Sequence, residues 1–394
     1  MKPKTSSFLS LIVFAASLAC LPRASAQIPC GPTIVPKATL VVNWPQLQYD
    51  SGHSGCNPYE TILSTSTVGS LSQKWRVGGP DSISSPVMAD GLVYISTFYD
   101  AVHYGAVYAL SASTGTTFWS FESPVDYTFS FSSSAVANGV VYVGCSDYNL
   151  YALDAKTGKL LWSYATGATV STPVVAGGVV YATSDQTYAL NASTGVLIWS
   201  APAASRWAPA LVGNALYVSA NQLYAFNAST GAVIWKTPIN SSAAPAVAGN
   251  TVYVTSDMVY ALNASTGALI WSYPVVSTNT PAIALGKVYV GAKDDTVYAL
   301  NAYTGAFLWK YAAQTYQVTA PVVANGVVYV TSSPQIPGYS YLDALDATTG
   351  ALLSANQLDG EGGTSAVVAN GVVYVGQGGF YNGDIYAFSI AQDH

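Results

Sequence analysis

A twelve-residue phrase recurs along this chain at a nearly constant interval, and that recurrence restricts the fold more than any other feature. It reads Tyr-Ala-Leu or Phe, a polar residue, Ala, two further residues and Gly, with Trp four places beyond the Gly. Copies run from Tyr108 to Trp119, Tyr151 to Trp162, Tyr188 to Trp199, Tyr224 to Trp235, Tyr260 to Trp271 and Tyr298 to Trp309. Their glycines are spaced by 43, 37, 36, 36 and 38 residues. A seventh copy, Leu342 to Gly350, has Ser354 where Trp is due, and an eighth begins at Tyr386. A second phrase, a Pro-Val-like start, a Gly-centred turn and Val-Tyr-Val, precedes each copy. It occurs eight times, at 86–94, 134–142, 173–181, 209–217, 245–253, 281–289, 321–329 and 366–374.

Each unit reads as four short strands. In the third, Pro173–Ala176 is followed by a Gly177-Gly178 turn, Val179–Ala182, a polar turn at 184–186, and Thr187–Asn191. The loop Asn191-Ala192-Ser193-Thr194-Gly195 then leads to a fourth strand ending near Ser200. Asn opens such a loop by bonding nearby backbone, and Gly supplies the positive φ that ends it. Four strands in about 40 residues describe a propeller blade. The ends complete one another: 71–77 is a fourth strand without its first three, and 384–389 is a third strand without its fourth. The expectation is an all-β, eight-bladed β-propeller of four-stranded blades, spanning 71–389, whose last blade is closed by the N-terminal strand. Closure also removes the open edges that invite aggregation.

Composition agrees with a sheet protein. Hydrophobic residues make up 51% and charged residues 8%, which excludes a disordered chain and leaves too little Glu, Lys and Arg for helical surfaces. Residues 1–26 read as a signal peptide: Lys2 and Lys4, an apolar run from Phe8 to Ala19, and a small-x-small site at Ala24-Ser25-Ala26. A lipoprotein signal ending at Cys20 is the weaker alternative, because Leu18 stands one place too late. Cleavage removes three of the thirteen basic residues and none of the nineteen acidic ones, leaving a net charge of −9. Such a chain, without basic runs, is not expected to bind nucleic acid. No later apolar stretch is long enough to span a bilayer. The chain is therefore expected to be exported, periplasmic or extracellular, and monomeric. Residues 27–70 form an N-terminal extension and 390–394 a tail. Cys30 and Cys56 flank the extension and are the expected disulfide, while Cys145 reads as a buried thiol.

The segment from Ala152 to Trp162 resembles the tryptophan-docking motif of PQQ-type (pyrroloquinoline quinone) propellers. So do the segments Ala189–Trp199, Ala225–Trp235, Ala261–Trp271 and Ala299–Trp309, with Asn in place of Asp. Trp44-Pro45, Asp50, His53 and Gly55 resemble the lead-in of exported members. The resemblance covers about 40–390 and implies that Trp75, Trp119, Trp162, Trp199, Trp235, Trp271 and Trp309 lock blade to blade. The family includes PQQ- and Ca²⁺-dependent dehydrogenases. It also includes the outer-membrane assembly lipoprotein of the β-barrel machinery, which binds protein instead. Fold alone does not choose between them.

Marks of the enzymes are missing: there is no adjacent cysteine pair, no Cys-x-x-Cys-His, and no length for a cap over the funnel. Segments that differ between repeats join fourth strands to the next first strand. They carry Tyr127, Phe129, Phe131, Arg206, Trp207, Tyr316 and Gln317 as candidate binding residues, since aromatics and Arg dominate hot spots. Asp81, Asn279 and Glu361 are the oxygens that could hold Ca²⁺ if the resemblance extended to the enzymes. The plainer reading makes all of these solvated loop residues. Asp147, Asp185, Asp257 and Asp294-Asp295 read as turn residues, and His53 as a surface residue. The functional expectation is a non-catalytic binding or scaffolding propeller, without cofactor, that grips a protein or peptide through its loop face. A PQQ- and Ca²⁺-dependent oxidoreductase of alcohols or sugars is the alternative, and a carbohydrate-binding propeller the third reading.

Overall fold

The computed structural model describes residues 43–79, 82–98, 105–124, 129–314, 316–333, 338–360, 362–378 and 383–391. Among them the only helical piece is a 3-10 turn at Val68–Ser70. The rest is sheet and connection, in eight antiparallel blades. Blade 3 shows the pattern: Val174–Ala176, Val179–Thr183, Thr187–Asn191 and Leu197–Ala201 pair in chain order. Blade 8 is made from both ends of the chain. Leu71–Gly79 pairs with Gly383–Ile390, beside Val372–Gln377 and Val367–Ala369. The ring is closed as the repeat phasing requires.

First strands of neighbouring blades touch all the way round, so they form the inner wall. Because successive strands are antiparallel, the ring has two unlike faces. One carries the first-to-second turns and the Asn-to-Gly hairpins, here the turn face. The other carries the second-to-third turns and the blade-to-blade connections, here the loop face.

Each hairpin is built as its sequence requires. Asn191 Oδ1 accepts the Ser193 and Thr194 amides, both at 3.0 Å, and Gly195 takes φ +70°. The fourth strand then carries a bulge: Leu197 pairs with Leu190 and Trp199 with Ala189, so Ile198 is skipped. Leu197 and Ile198 stay exposed while Trp199 turns into the seam with the next blade.

The seams repeat one arrangement. Trp199 donates its indole N–H to the Ala228 carbonyl at 2.8 Å, and Tyr181 donates its hydroxyl to the same oxygen at 3.2 Å. Ala112, Ala155, Ala192, Ala264, Ala302 and Ala347 each take the same two bonds. Their donors are Trp75 with Tyr374, Trp119 with Tyr94, Trp162 with Tyr142, Trp235 with Tyr217, Trp271 with Tyr253 and Trp309 with Tyr289. The indole lies over the hairpin glycine, and a Cβ on Gly231 would stand 2.7 Å from the Trp199 ring.

Seam 7/8 differs. Ser354 replaces the indole, and the buried Tyr329 hydroxyl has no hydrogen-bond partner among the described residues. The extension seals this seam instead. Leu63 and Val68 are fully buried against blades 7 and 8. Asn325 donates to the Leu63 carbonyl at 3.0 Å, and the Gly371 amide donates to Glu60 at 3.0 Å. Arg76 bonds Asp384 at 2.7 Å and also pairs with Asp359.

A comparison of two glycines isolates the seam. Gly213 also has positive φ, +59°, but nothing lies within 4 Å of its missing Cβ. Gly213→Ala should cost about 1–2 kcal/mol for the left-handed backbone alone. Gly231→Ala should cost roughly 1–3 kcal/mol more, because the methyl collides with Trp199. Urea unfolding of the two variants reads the difference.

Candidate functional site

Within the inner wall, residues 44–57 trace a strap along the first strands. Its bonds follow chain order around the ring. Amides at the equivalent position of seven blades donate inward. Met88 donates to the Trp44 carbonyl (2.7 Å), Val136 to Pro45 (2.7 Å), Val175 to Gln46 Oε1 (2.9 Å) and Leu211 to Ser51 (2.6 Å). Val247 donates to Gly52 (2.8 Å), Ile283 to Ser54 (2.7 Å) and Val323 to Gly55 (2.7 Å). In blade 8 the direction reverses, and Asn57 Nδ2 donates to the Val368 carbonyl at 2.7 Å. Gly55 is required where the strap passes blade 6: its φ is +66° and a Cβ would stand 2.7 Å from that of Ala282. The strap lies toward the turn end of the first strands, so the central channel is occupied there.

Asp50 shapes the strap. Its Oδ1 accepts the Gly52 and Ser54 amides at 3.0 and 2.9 Å, and its Oδ2 accepts the Ser54 hydroxyl at 2.7 Å. Burial nevertheless raises its carboxyl above the usual range. His53 corrects the sequence reading, which put it on the surface: it is fully buried. Its Nδ1 lies 3.1 Å from the Pro245 carbonyl and must carry the proton, since a carbonyl only accepts. Nε2 has no hydrogen-bond partner among the described residues, and burial lowers the imidazole to about 4. Cys56, the last strap residue but one, is disulfide-bonded, while Cys145 is a free, buried thiol whose ionisation burial opposes. Cys30 lies outside the described residues.

The loop face holds the other candidates, in separate places. Arg206 is exposed and Trp207 half-buried, and both line a cleft of about 460 Å³ with Asn221, Asn240, Ser242 and Thr278. The loop is pinned beneath them. The Trp207 amide donates to Ser205 Oγ at 3.0 Å, and Thr183 donates to the Trp207 carbonyl at 2.7 Å. Among the described residues Arg206 forms no ion pair, on a face that also carries Lys293 and the acidic side chains of Asp147, Asp185, Asp257, Asp294 and Asp295. Asp147, Asp185, Asp257 and Asp294 bond within their own turns, as expected, whereas Asp295 reaches to the next connection. Asp147 accepts the Asn149 amide at 2.9 Å, and Asp185 accepts the Tyr188 hydroxyl at 2.9 Å. Tyr316 and Gln317 are exposed between blades 6 and 7, with the Gln317 amide held by Asp295 at 2.8 Å. Phe129 is half-buried.

Phe131 is a second correction. It is fully buried between blades 1 and 2, its ring 6.1 Å from those of Phe121 and Tyr151, and cannot meet a partner on the rim. Tyr127, Asp81 and Glu361 lie outside the described residues. Asn279, the described member of the proposed Ca²⁺ set, spends its amide nitrogen on the Gly291 and Val318 carbonyls at 3.0 and 2.8 Å, as a strut between blades 6 and 7. Among the described residues no three His, Cys, Asp or Glu side chains converge on a cation position.

The strap was missed because it does not repeat. Its one sequence signal was the cluster Trp44-Pro45, Asp50, His53 and Gly55. A second buried group, Asp343, stands where the other repeats have Tyr. Its Oδ2 accepts the Tyr311 hydroxyl at 3.2 Å, its Oδ1 has no partner, and burial raises it to about 6.

The fold and its seams define an eight-bladed propeller of PQQ-type repeats. A family model described as outer membrane protein assembly factor BamB matches residues 70–237 and 222–333, and the chain belongs to this PQQ-type repeat family. Solved structures agree on the fold. BamB from Moraxella catarrhalis superposes with a TM-score of 0.66 at 19% identity, over 82% of this chain and 99% of that one. Quinohemoprotein alcohol dehydrogenase ADHIIG from Pseudomonas putida HK5 gives 0.73 at 15%, over 94% and 84%. A europium-containing methanol dehydrogenase gives 0.74 at 14%, over 89% and 98%. No curated protein matches the chain in sequence at a significant level.

Two of the buried titrating groups, His53 and Asp343, pull in opposite directions. His53 is held neutral, so stability present above about pH 6.5 is lost as pH falls toward 4, by about 3 kcal/mol. Asp343 is held protonated, so stability present below about pH 4 is lost as pH rises through 6, again by about 3 kcal/mol. In thermal unfolding from pH 4 to 8, Asp343→Asn should stabilise at pH 8 and lose that advantage at pH 4. His53→Gln should flatten the acid limb of the profile.

Proposed function

We propose that this protein is an exported, non-catalytic binding propeller that grips a protein or peptide partner through its loop face. One observation carries the reading: the guanidinium of Arg206, without an ion-pair partner among the described residues, beside the half-buried indole of Trp207 in an open cleft on the ring. Arg and Trp are the side chains that anchor protein interfaces. The loop that presents them is fixed by hydrogen bonds, so little ordering is lost on binding. Tyr316, on the same face, supplies a further exposed aromatic edge. Family membership agrees, since the matching model is described as an assembly factor. Export rests on the signal-peptide pattern of residues 1–26, and no helix among the described residues is long and apolar enough to cross a membrane.

The second reading is a PQQ- and Ca²⁺-dependent oxidoreductase, favoured by the likeness in fold to the two dehydrogenases. Two measurements separate the readings. A photo-crosslinking residue at position 207 should capture one defined partner, Arg206→Glu should reduce the yield several-fold, and the same crosslinker at Ser229 on the turn face should capture none. Thermal unfolding with PQQ plus Ca²⁺ should show no saturable shift. A ligand at 100 times its Kd adds roughly 2.7 kcal/mol, so a saturable shift requiring both would establish the enzyme reading instead.

A further inference from the structure

A second cleft, of about 660 Å³, opens on the turn face, at the opposite end of the ring from Arg206. It is lined by Tyr49 and Tyr59 from the N-terminal segment, Asn250 and Thr251 from blade 5, and Leu285 and Tyr303 from blade 6. The repeats supply their own comparison here. The first residue of each first-to-second turn has positive φ, and in seven blades it is Asp90, Asn138, Gly177, Gly213, Gly249, Asn325 or Asn370. These are the residue types that tolerate the left-handed region. Blade 6 has Leu285 there, at φ +53°. Tyr49, across the cleft, has φ +80°. Two bulky side chains are thus held in strained backbone at one place, and such strain concentrates where ligands are gripped.

Tyr303 is the third departure. The equivalent positions of blades 3 to 5 are Ser193, Ser229 and Ser265, and the latter two bond Asn214 and Asn250 of the neighbouring turn. Tyr303 makes its hairpin without that bond and leaves its ring 77% exposed, beside Gly286. A lone exposed aromatic is ordinary. An exposed aromatic that lines one cavity together with two strained residues is not.

The lining selects the ligand. Asp50 is its one charged residue among the described ones, and both carboxylate oxygens are already bonded by Gly52 and Ser54. An anionic ligand would find no counter-charge, and a cationic one only a buried carboxylate already committed to the strap. Tyrosine rings offer flat apolar faces and a hydroxyl at the edge, with Asn and Thr as short polar groups beside them. That combination matches a pyranose ring, apolar on its C–H faces and hydroxylated around its rim. We propose that the turn-face cleft binds a neutral oligosaccharide, stacked on Tyr303 and Tyr59. The volume is that of an ordinary small-ligand site and accommodates a short saccharide.

Calorimetric titration of the intact protein with cellohexaose, xylohexaose and chitohexaose tests this. At least one should bind saturably, and Tyr303→Ser, which restores the residue of blades 3 to 5, should weaken that binding about tenfold or more. Leu285→Gly should weaken binding while the protein stays folded, a loss that a leucine serving only to pack against blades 6 and 7 would not produce. Arg206→Glu should leave saccharide affinity unchanged, which keeps this result independent of the loop-face reading. Absence of binding by all three hexasaccharides, or equal affinity in Tyr303→Ser, overturns the proposal. So does a proline-rich peptide that binds at Tyr303 when no saccharide does.

Discussion

One alanine carbonyl per seam holds the ring together. It takes two hydrogen bonds from the preceding blade, one from a tyrosine hydroxyl and one from an indole, as at Ala228 with Tyr181 and Trp199. The indole can reach that oxygen only because the next hairpin ends in a glycine over which it lies flat. Each bond is modest alone, about 1 kcal/mol net. The burial of a large aromatic side chain at each seam adds much more. A propeller has no single central core, so its stability is the sum of such interfaces between neighbours, as in other repeat proteins.

The arrangement fails at one place, and the fold compensates there. Ser354 cannot reach across seam 7/8, and Tyr329 is left with an unbonded hydroxyl. The segment from Glu60 to Leu71 fills that gap with Leu63 and Val68 before it becomes the closing strand of blade 8. Just before, the same stretch runs as the strap that bonds every first strand in turn. The N-terminal region is therefore a fastener twice over, inside the ring and at its weakest seam. Buried Asp50 and His53 are the cost of threading polar chain through the axis, which is why their protonation is displaced.

The two faces then differ in chemistry. The loop face carries aspartates bonded within its turns and connections, together with Lys293, Arg206 and Trp207. The turn face is built from uncharged hairpins through blades 3 to 5 and departs from its repeat in blade 6. A rigid ring presents both without moving, so either can bind with little ordering of its own.

Fold, blade number and closure were all legible in the sequence, because they rest on local chemistry repeated eight times. Asn-to-Gly hairpins, alternating strands and matched ends each state the same answer. Comparison between repeats also exposed the loops that hold Arg206 and Trp207, and it carries the departures at Leu285 and Tyr303 once their meeting place is known. Phe131 was misread because position in a loop was taken for exposure, whereas its ring fills the gap left between Phe121 and Tyr151. His53 and the strap were misread for a deeper reason. A segment that occurs once has no internal copy to set its environment, and its burial follows from the axis that eight other units create. The sequence by itself determined the ring, since the strand pairing of seven blades is written within about 40 residues and the two unmatched ends state how the eighth closes. Only the tertiary structure decided what lies at its centre and which side chains share a cleft, because those contacts join residues hundreds of positions apart through geometry that no local pattern encodes.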